Sequence, residues 1–117
     1  MADTNISFYL KANRIHVFVD ALRKIGSPRR VCFMIEENGQ TLLLASYEKR
    51  DFKSHSVPAE VYKGAGVMEV SSKKLCQLIA QMHHWNLGHS YRVPGIIIAE
   101  HKVIIFELTK AEAIEHE

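Results

Sequence analysis

The chain predicts a single α+β domain of two strand–helix–hairpin units, with an antiparallel sheet and two helices on one face. Three observations carry that expectation. A length of 117 residues holds one core and not two. Two apolar runs of β-type residues flank Asn38-Gly39, which reads as a hairpin. The order strand, helix, hairpin then occurs twice, at a spacing of roughly 60 residues. The domain is expected over residues 1–108, followed by a polar tail, 109–117, "TKAEAIEHE".

Each element has its own signature. Ile6, Phe8 and Leu10 alternate with Ser7 and Tyr9, the pattern of a strand with one buried face. "ANRIHVFVDALRKIG" changes period. Ile15, Phe18, Val19, Leu22 and Ile25 make a helical apolar stripe, with Asn13 as its candidate cap. Arg23 and Lys24 suit the negative end of that helix, and Gly26 followed by Ser27-Pro28 ends it. "RRVCFMIEENGQTLLLASYE" is the hairpin, with a tight primed turn expected at Asn38-Gly39. Lys49 to Pro58 reads as irregular chain or an edge strand, and Val67 to Val70 as a short strand after a Gly-rich turn.

The second helix is "SSKKLCQLIAQMHHW", capped by Ser71 or Ser72 and burying Leu75, Leu78, Ile79 and Met82. "SYRVPGIIIAEHKVIIFEL" supplies two strands joined around Glu100-His101, with Pro94-Gly95 marking a bulge or an edge position.

Composition narrows the function. Hydrophobic residues make up 47% and charged residues 24%, as in ordinary folded domains, and three prolines and six glycines are too few for a long linker. A net charge of +2 permits contact with nucleic acid without demanding it. Cys32 and Cys76 both sit in apolar periodic segments, which suits reduced core thiols in a cytoplasmic protein. "GIIIA" and "VIIF" are far below a membrane span, so no membrane partner is expected.

Cys76 to Gly95, "CQLIAQMHHWNLGHSYRVPG", gathers a cysteine, three histidines and the only tryptophan. Cys76, His83 and His89 could serve zinc, but the tight paired spacing of a structural site is missing. A helix end explains the stretch better, with His83 and His84 at the negative dipole end and Trp85 packed under the loop. No metal or other cofactor is expected. A Cys–His pair using Cys32 or Cys76 competes with the simpler reading of buried thiols, so no enzyme is expected either. "YEKRDFKSHSVP" interleaves Tyr47 and Phe52 with Lys49, Arg50, Lys53 and His55. Such a segment can hold a single strand or merely defend a sheet edge. Arg29-Arg30 reads as a solvated strand entry.

The helix "RIHVFVDALRKIG", the hairpin "VCFMIEENGQTLLLASYE", and "GVMEVSSKKLCQLIAQM" followed by "GIIIAEHKVIIFEL" together resemble a single domain of the DNA sliding clamp (processivity factor) superfamily. The resemblance lies in the order of elements over about nine-tenths of the chain. It implies a non-enzymatic, DNA-associated binding or assembly protein whose helix faces meet phosphate. The residues it points to are Arg23, Lys24, Lys73 and Lys74, with Gln77 and His84 as hydrogen-bonding neighbours and Asp20 intruding. Clamp rings contain several such domains, so this one would close a ring only as a homo-oligomer, a hexamer. The alternative expectation is a protein–protein interaction module working through a sheet edge. A third is a small metal protein or enzyme using Cys76, His83, His84 and His89.

Overall fold

"RIHVF", Arg14–Phe18, satisfies two periods at once. Ile15 with Phe18 fits a helix, and Ile15 with Val17 fits a strand. In the computed structural model, which describes residues 2–51, 54–64 and 66–114, the strand prevails. Strand β1 (Thr4–Tyr9) turns through Leu10 to Asn13 into β2 (Arg14–Phe18), and helix α1 covers only Val19–Lys24. Asn13 is therefore not a helix cap. It occupies the turn at φ 54°, a left-handed conformation that asparagine tolerates. β-Branched Ile15 and Val17 favour the pleated surface, and pairing on both sides settles the matter, with β1 on one edge and β6 on the other. Ile15 and Val17 are fully buried, while Phe18, assigned above to the helical stripe, is 42% exposed.

The remaining strands are β3 (Arg30–Ile35), β4 (Thr41–Ser46), β5 (Ser54–Ser56), β6 (Val67–Ser71), β7 (Ser90–Ile98), β8 (Val103–Glu107) and β9 (Glu112–Ile114). Helix α2 spans Lys73–His83, and 3-10 turns occupy Ala59–Lys63, Ala99–His101 and Leu108–Lys110. The β3–β4 hairpin forms as expected, but its turn is wider than a two-residue primed turn. Gly39 N–H donates to the Glu36 carbonyl and Glu36 N–H to the Thr41 carbonyl, and of Asn38 and Gly39 only Gly39 has positive φ, 69°. Asn38 uses its side-chain oxygen to accept from Gln40 N–H.

All described pairings are antiparallel, in the order β5-β3-β4-β8-β7-β1-β2-β6, with β9 also on β7. Exchange β1 with β5, β2 with β6, β3 with β7 and β4 with β8. The ladders among these eight strands then map onto one another, save one. β1 pairs with β2, whereas β5 and β6, each paired on one side only among the described residues, are not paired with each other and stand at the two ends of the order. Between them in the chain lies the turn Ala59–Lys63. Part of the segment expected as a polar tail, 109–117, extends the sheet: Glu112–Ile114 pairs with Ser90–Arg92, just after buried Leu108 at the end of the expected domain.

One cluster unites the inner face of the sheet with both helices. It includes Ile6, Phe8, Ile15, Val17, Leu42, Leu44, Val93, Ile104 and Phe106 from strands, Leu22 from α1, and Cys76, Ile79 and Ala80 from α2. Gly95 allows β7 and β8 to approach there, because a Cβ at that position would collide with the Phe106 ring. Cys32 and Cys76 are both buried, and neither is in a disulfide. Among the described residues, no helix is long and apolar enough to cross a membrane.

The outer face of the sheet has two characters. Across β6, β2, β1 and β7 the register sets Glu69, His16, Ser7 and Arg92 in one row. Across β3, β4, β8 and β7 it sets Met34, Leu43, Ile105 and Ile96 in one row and Cys32, Ala45, Val103 and Ile98 in the next. Met34 is 46% exposed and Ile96 42%. The sheet is apolar on both sides in that region.

Candidate nucleic-acid interface

Helix α2 is built by local rules. The Ser72 hydroxyl accepts from Leu75 N–H at 3.2 Å, which satisfies one of the unpaired donors of the first turn. At the other end His84 adopts the left-handed conformation, φ 56°, and Trp85 N–H closes onto the Ala80 carbonyl. The buried side is Cys76, Ile79 and Ala80, with Leu75 packed beside it. Leu78 and Met82 are exposed, so the stripe expected from the sequence is turned by about 100°, the rotation of one residue. Met82 covers the β3–β4 turn, where a Cβ on Gly39 would come within 2.7 Å of its Cε.

The outward side of α2 carries Lys73, Lys74, Gln77, Gln81 and His84, all exposed. Lys73, Gln77, Gln81 and His84 repeat at intervals of three and four and share one face, with Lys74 on its flank. Gln77, Gln81 and His84 line a shallow groove of about 470 Å³ with Trp85 and Leu87. No carboxylate stands anywhere between Glu69 and Glu100 in the sequence. That run is a signal the element-by-element reading passed over. Lys73 and Lys74 also oppose the helix dipole at the N-terminus, so stability does not account for their position.

Helix α1 treats its cations differently. Arg23 donates to Asp20 Oδ1 at 2.9 Å, to the Tyr62 carbonyl at 2.8 Å and to the Gly64 carbonyl at 3.3 Å. It ties α1 to the turn Ala59–Lys63, and its charge is balanced by Asp20. Lys24 is exposed and lines another groove, whose acidic residues are Asp3 and Asp20. His16, within the segment "ANRIHVFVDALRKIG" expected to be helical, lies on β2, with Nε2 2.9 Å from Glu69 Oε2 and its ring 4.7 Å from that of Tyr9. Of the six residues singled out for phosphate, four gather along α2, and on α1 only Lys24 is free.

The histidine-rich stretch resolves into structure. The Cys76 side chain is 1% exposed, and burial pushes its thiol up to about 11, which disfavours the reactive thiolate. His83 Nε2 lies 2.7 Å from the Gly39 carbonyl and anchors the end of α2 to the β3–β4 turn. Trp85 stacks on Tyr91 at 4.5 Å and tilts against Phe8 at 5.5 Å. Among the described residues no group of three or more His, Cys, Asp or Glu side chains converges as a metal-binding set.

Phe52 and Lys53 lie outside the described residues. The rest of "YEKRDFKSHSVP" joins the start of β3. Tyr47 O–H donates to Asp51 Oδ2 at 2.8 Å, and this bond holds the phenol above its ordinary pKa. Arg30, half-buried, donates from Nε to Ser54 Oγ at 2.7 Å. Burial and the nearby Arg30 charge both lower the His55 pKa, burial more strongly. Arg29, Arg30, Arg50 and Lys63 line a groove of about 780 Å³ together with Glu48 and Tyr62. Its parts stand apart in the sequence, Arg50 in a segment able to hold a single strand and Arg29-Arg30 at a solvated strand entry, and nothing local joins them. These cations come from three separate stretches, which the β3–β5 ladder and the turn Ala59–Lys63 bring together.

No family model, curated protein or solved structure matches the chain.

Proposed function

We propose that this is a non-enzymatic, DNA-associated protein with a clamp-like domain, which meets the phosphate backbone through the outward face of α2. The observation that carries this reading is the carboxylate-free row of Lys73, Lys74, Gln77, Gln81 and His84. Two ammonium groups neutralise phosphates, and the amides and imidazole donate hydrogen bonds beside them. The pairing order that survives exchange of the two halves supports the clamp-like reading. Lys24 adds a further contact, whereas Arg23 is committed to Asp20 and the chain beside Tyr62.

Binding of this kind is indifferent to sequence and steeply dependent on salt. A duplex titrated at several salt concentrations should give a log–log slope that becomes shallower by about two units in Lys73→Gln/Lys74→Gln, if each lysine releases counterions at ~0.9 per contact. Absence of salt-dependent binding at low ionic strength overturns the reading.

A second reading is favoured by the apolar outer rows of β3, β4, β8 and β7. Sheets apolar on both faces are covered on both. The occupant of that face is a second copy of this chain, since a single domain acts around DNA only as an assembly. Glu36 and Glu37 lie beside Met34 and Leu43 at the hairpin end of the patch, while the connection from β7 to β8 at the other end carries Glu100 and Lys102. Of the two face-to-face arrangements, only the one with strands antiparallel across the interface avoids stacking the acidic ends. Sedimentation equilibrium should show self-association that Met34→Glu/Ile96→Glu abolishes. A parent protein that stays monomeric at high concentration would exclude it.

A further inference from the structure

We infer that the groove between the start of β3, β5 and the turn Ala59–Lys63 is a second anion site, for the phosphate groups of a nucleotide, free or within a strand. It does not depend on the α2 reading, because it uses none of the same residues. Arg29, Arg30, Arg50 and Lys63 surround it, and Glu48 is the one carboxylate in its lining. Among the described residues none of these four cations makes an ion pair, whereas Arg14 and Arg23 pair with Glu69 and Asp20. Three of the chain's six arginines thus line one cleft with no ion pair among the described residues. Gathering like charges opposes folding, and a bound anion relieves that repulsion.

The geometry suits phosphate specifically. Arg30, itself in the lining, is held against β5 by bonds from Nε to Ser54 Oγ at 2.7 Å and from Nη2 to the Ser54 carbonyl at 3.5 Å, and its Nη1 makes no described hydrogen bond. Arg29 and Arg50 offer the planar forks that match phosphate oxygens in pairs. Lys63 adds a point charge, and the Ser27 and Ser56 side chains are within the lining. Tyr62, Val57, Pro58 and Ala59 form an apolar wall. Tyr62 serves as wall and not as acid: its O–H donates to the Pro28 carbonyl, so ring and turn are locked together. A volume of about 780 Å³ exceeds what a lone phosphate fills and lies in the range of nucleotide-sized sites.

The test uses the full chain, with a labelled twelve-residue oligothymidylate and ATP without metal as probes, each at low and moderate salt. Arg29→Gln/Arg50→Gln is the informative variant, since neither side chain makes a described hydrogen bond and folding should be unchanged by thermal melt. We expect the oligonucleotide to bind with its affinity reduced at least tenfold in this variant and its salt slope shallower by about 1.4 units, ~0.7 per contact on single strands. Lys73→Gln/Lys74→Gln should retain this binding. Saturable ATP binding that the oligonucleotide displaces, lost in the same variant, assigns a free nucleotide; oligonucleotide binding without ATP binding assigns a strand. Failure of both probes at low salt, or equal affinities for parent and Arg29→Gln/Arg50→Gln, overturns the site.

Discussion

Helices α1 and α2 follow corresponding strands and bury leucine or isoleucine in the same cluster, yet they are held in place by different means. α1 has six residues and no side-chain cap; its first N–H finds the Gly66 carbonyl, and Arg23 ties it to the turn beside Tyr62. α2 has eleven residues, its own Ser72 cap and a left-handed terminus at His84. The short helix depends on distant chain for its satisfaction, and its arginine is consumed in obtaining it. The long helix is complete by local rules, and its lysines stay free. A basic residue is available to a ligand only where the fold does not need it.

The largest effects should be common to the two helices. Leu22→Ala and Ile79→Ala each remove a fully buried side chain, and each should cost ~2–5 kcal/mol in denaturant unfolding. A loss much smaller for Leu22 would mean that α1 collapses around the gap despite its tether.

Next comes alkaline pH. Burial raises the Cys76 thiol to about 11 and the Tyr62 phenol to about 12, while both ionise at their ordinary values once unfolded. The unfolded chain therefore binds fewer protons in the window between, and stability falls as pH rises. Cys76 should act from about pH 9 to 11, at up to roughly 1.4 kcal/mol per pH unit. In Cys76→Ala the decline should begin about one unit later, when Tyr62 enters, and unfolding curves at pH 8 and 10 would measure the difference.

The caps and ties separate the helices more finely. Ser72→Ala should destabilise by about 1 kcal/mol through the lost cap. Arg23→Gln should cost about 1 kcal/mol, since its bonds to two carbonyls are partly exposed. At the small end, Lys24→Gln and Lys74→Gln should stay within about 0.5 kcal/mol of the parent. Arg23→Gln matching Lys24→Gln in a thermal melt would remove the distinction between a tying arginine and a free lysine.

What could be read in the sequence follows the same division. α2, the β3–β4 hairpin and the turn near Glu100-His101 depend on neighbours within a few residues and were legible, as was the cap of α2 to within the pair Ser71 and Ser72. The β2 segment was not, because Ile15 with Phe18 fits a helix and Ile15 with Val17 a strand, and pairing with β1 and with distant β6 decides between them. The role of Arg23 rests on carbonyls 39 and 41 residues away, which no local pattern encodes. The buried side of α2 was misjudged by one residue because small Cys76 and Ala80 face the core while larger Leu78 and Met82 do not. Strand β9 looked polar because it is only Glu112–Ile114, largely exposed, and joins the sheet by its pairing with Ser90–Arg92 rather than by a buried apolar face. As for the candidate site, the lysines of α2 were visible, and the arginine groove was hidden by the distance between its parts.

The single missing ladder, β5 with β6, has a consequence for how the molecule could be divided. A nick after Gly64 severs the chain where neighbouring strands are not hydrogen-bonded to each other. The fragment before it would hold β1 without its partner β7 and β4 without β8; the fragment after it would hold β6 without β2. Neither piece could complete its sheet alone, and each carries the edges that the other lacks. The fold is thus suited to fragment complementation: two polypeptides, disordered apart, that regain one structure when mixed.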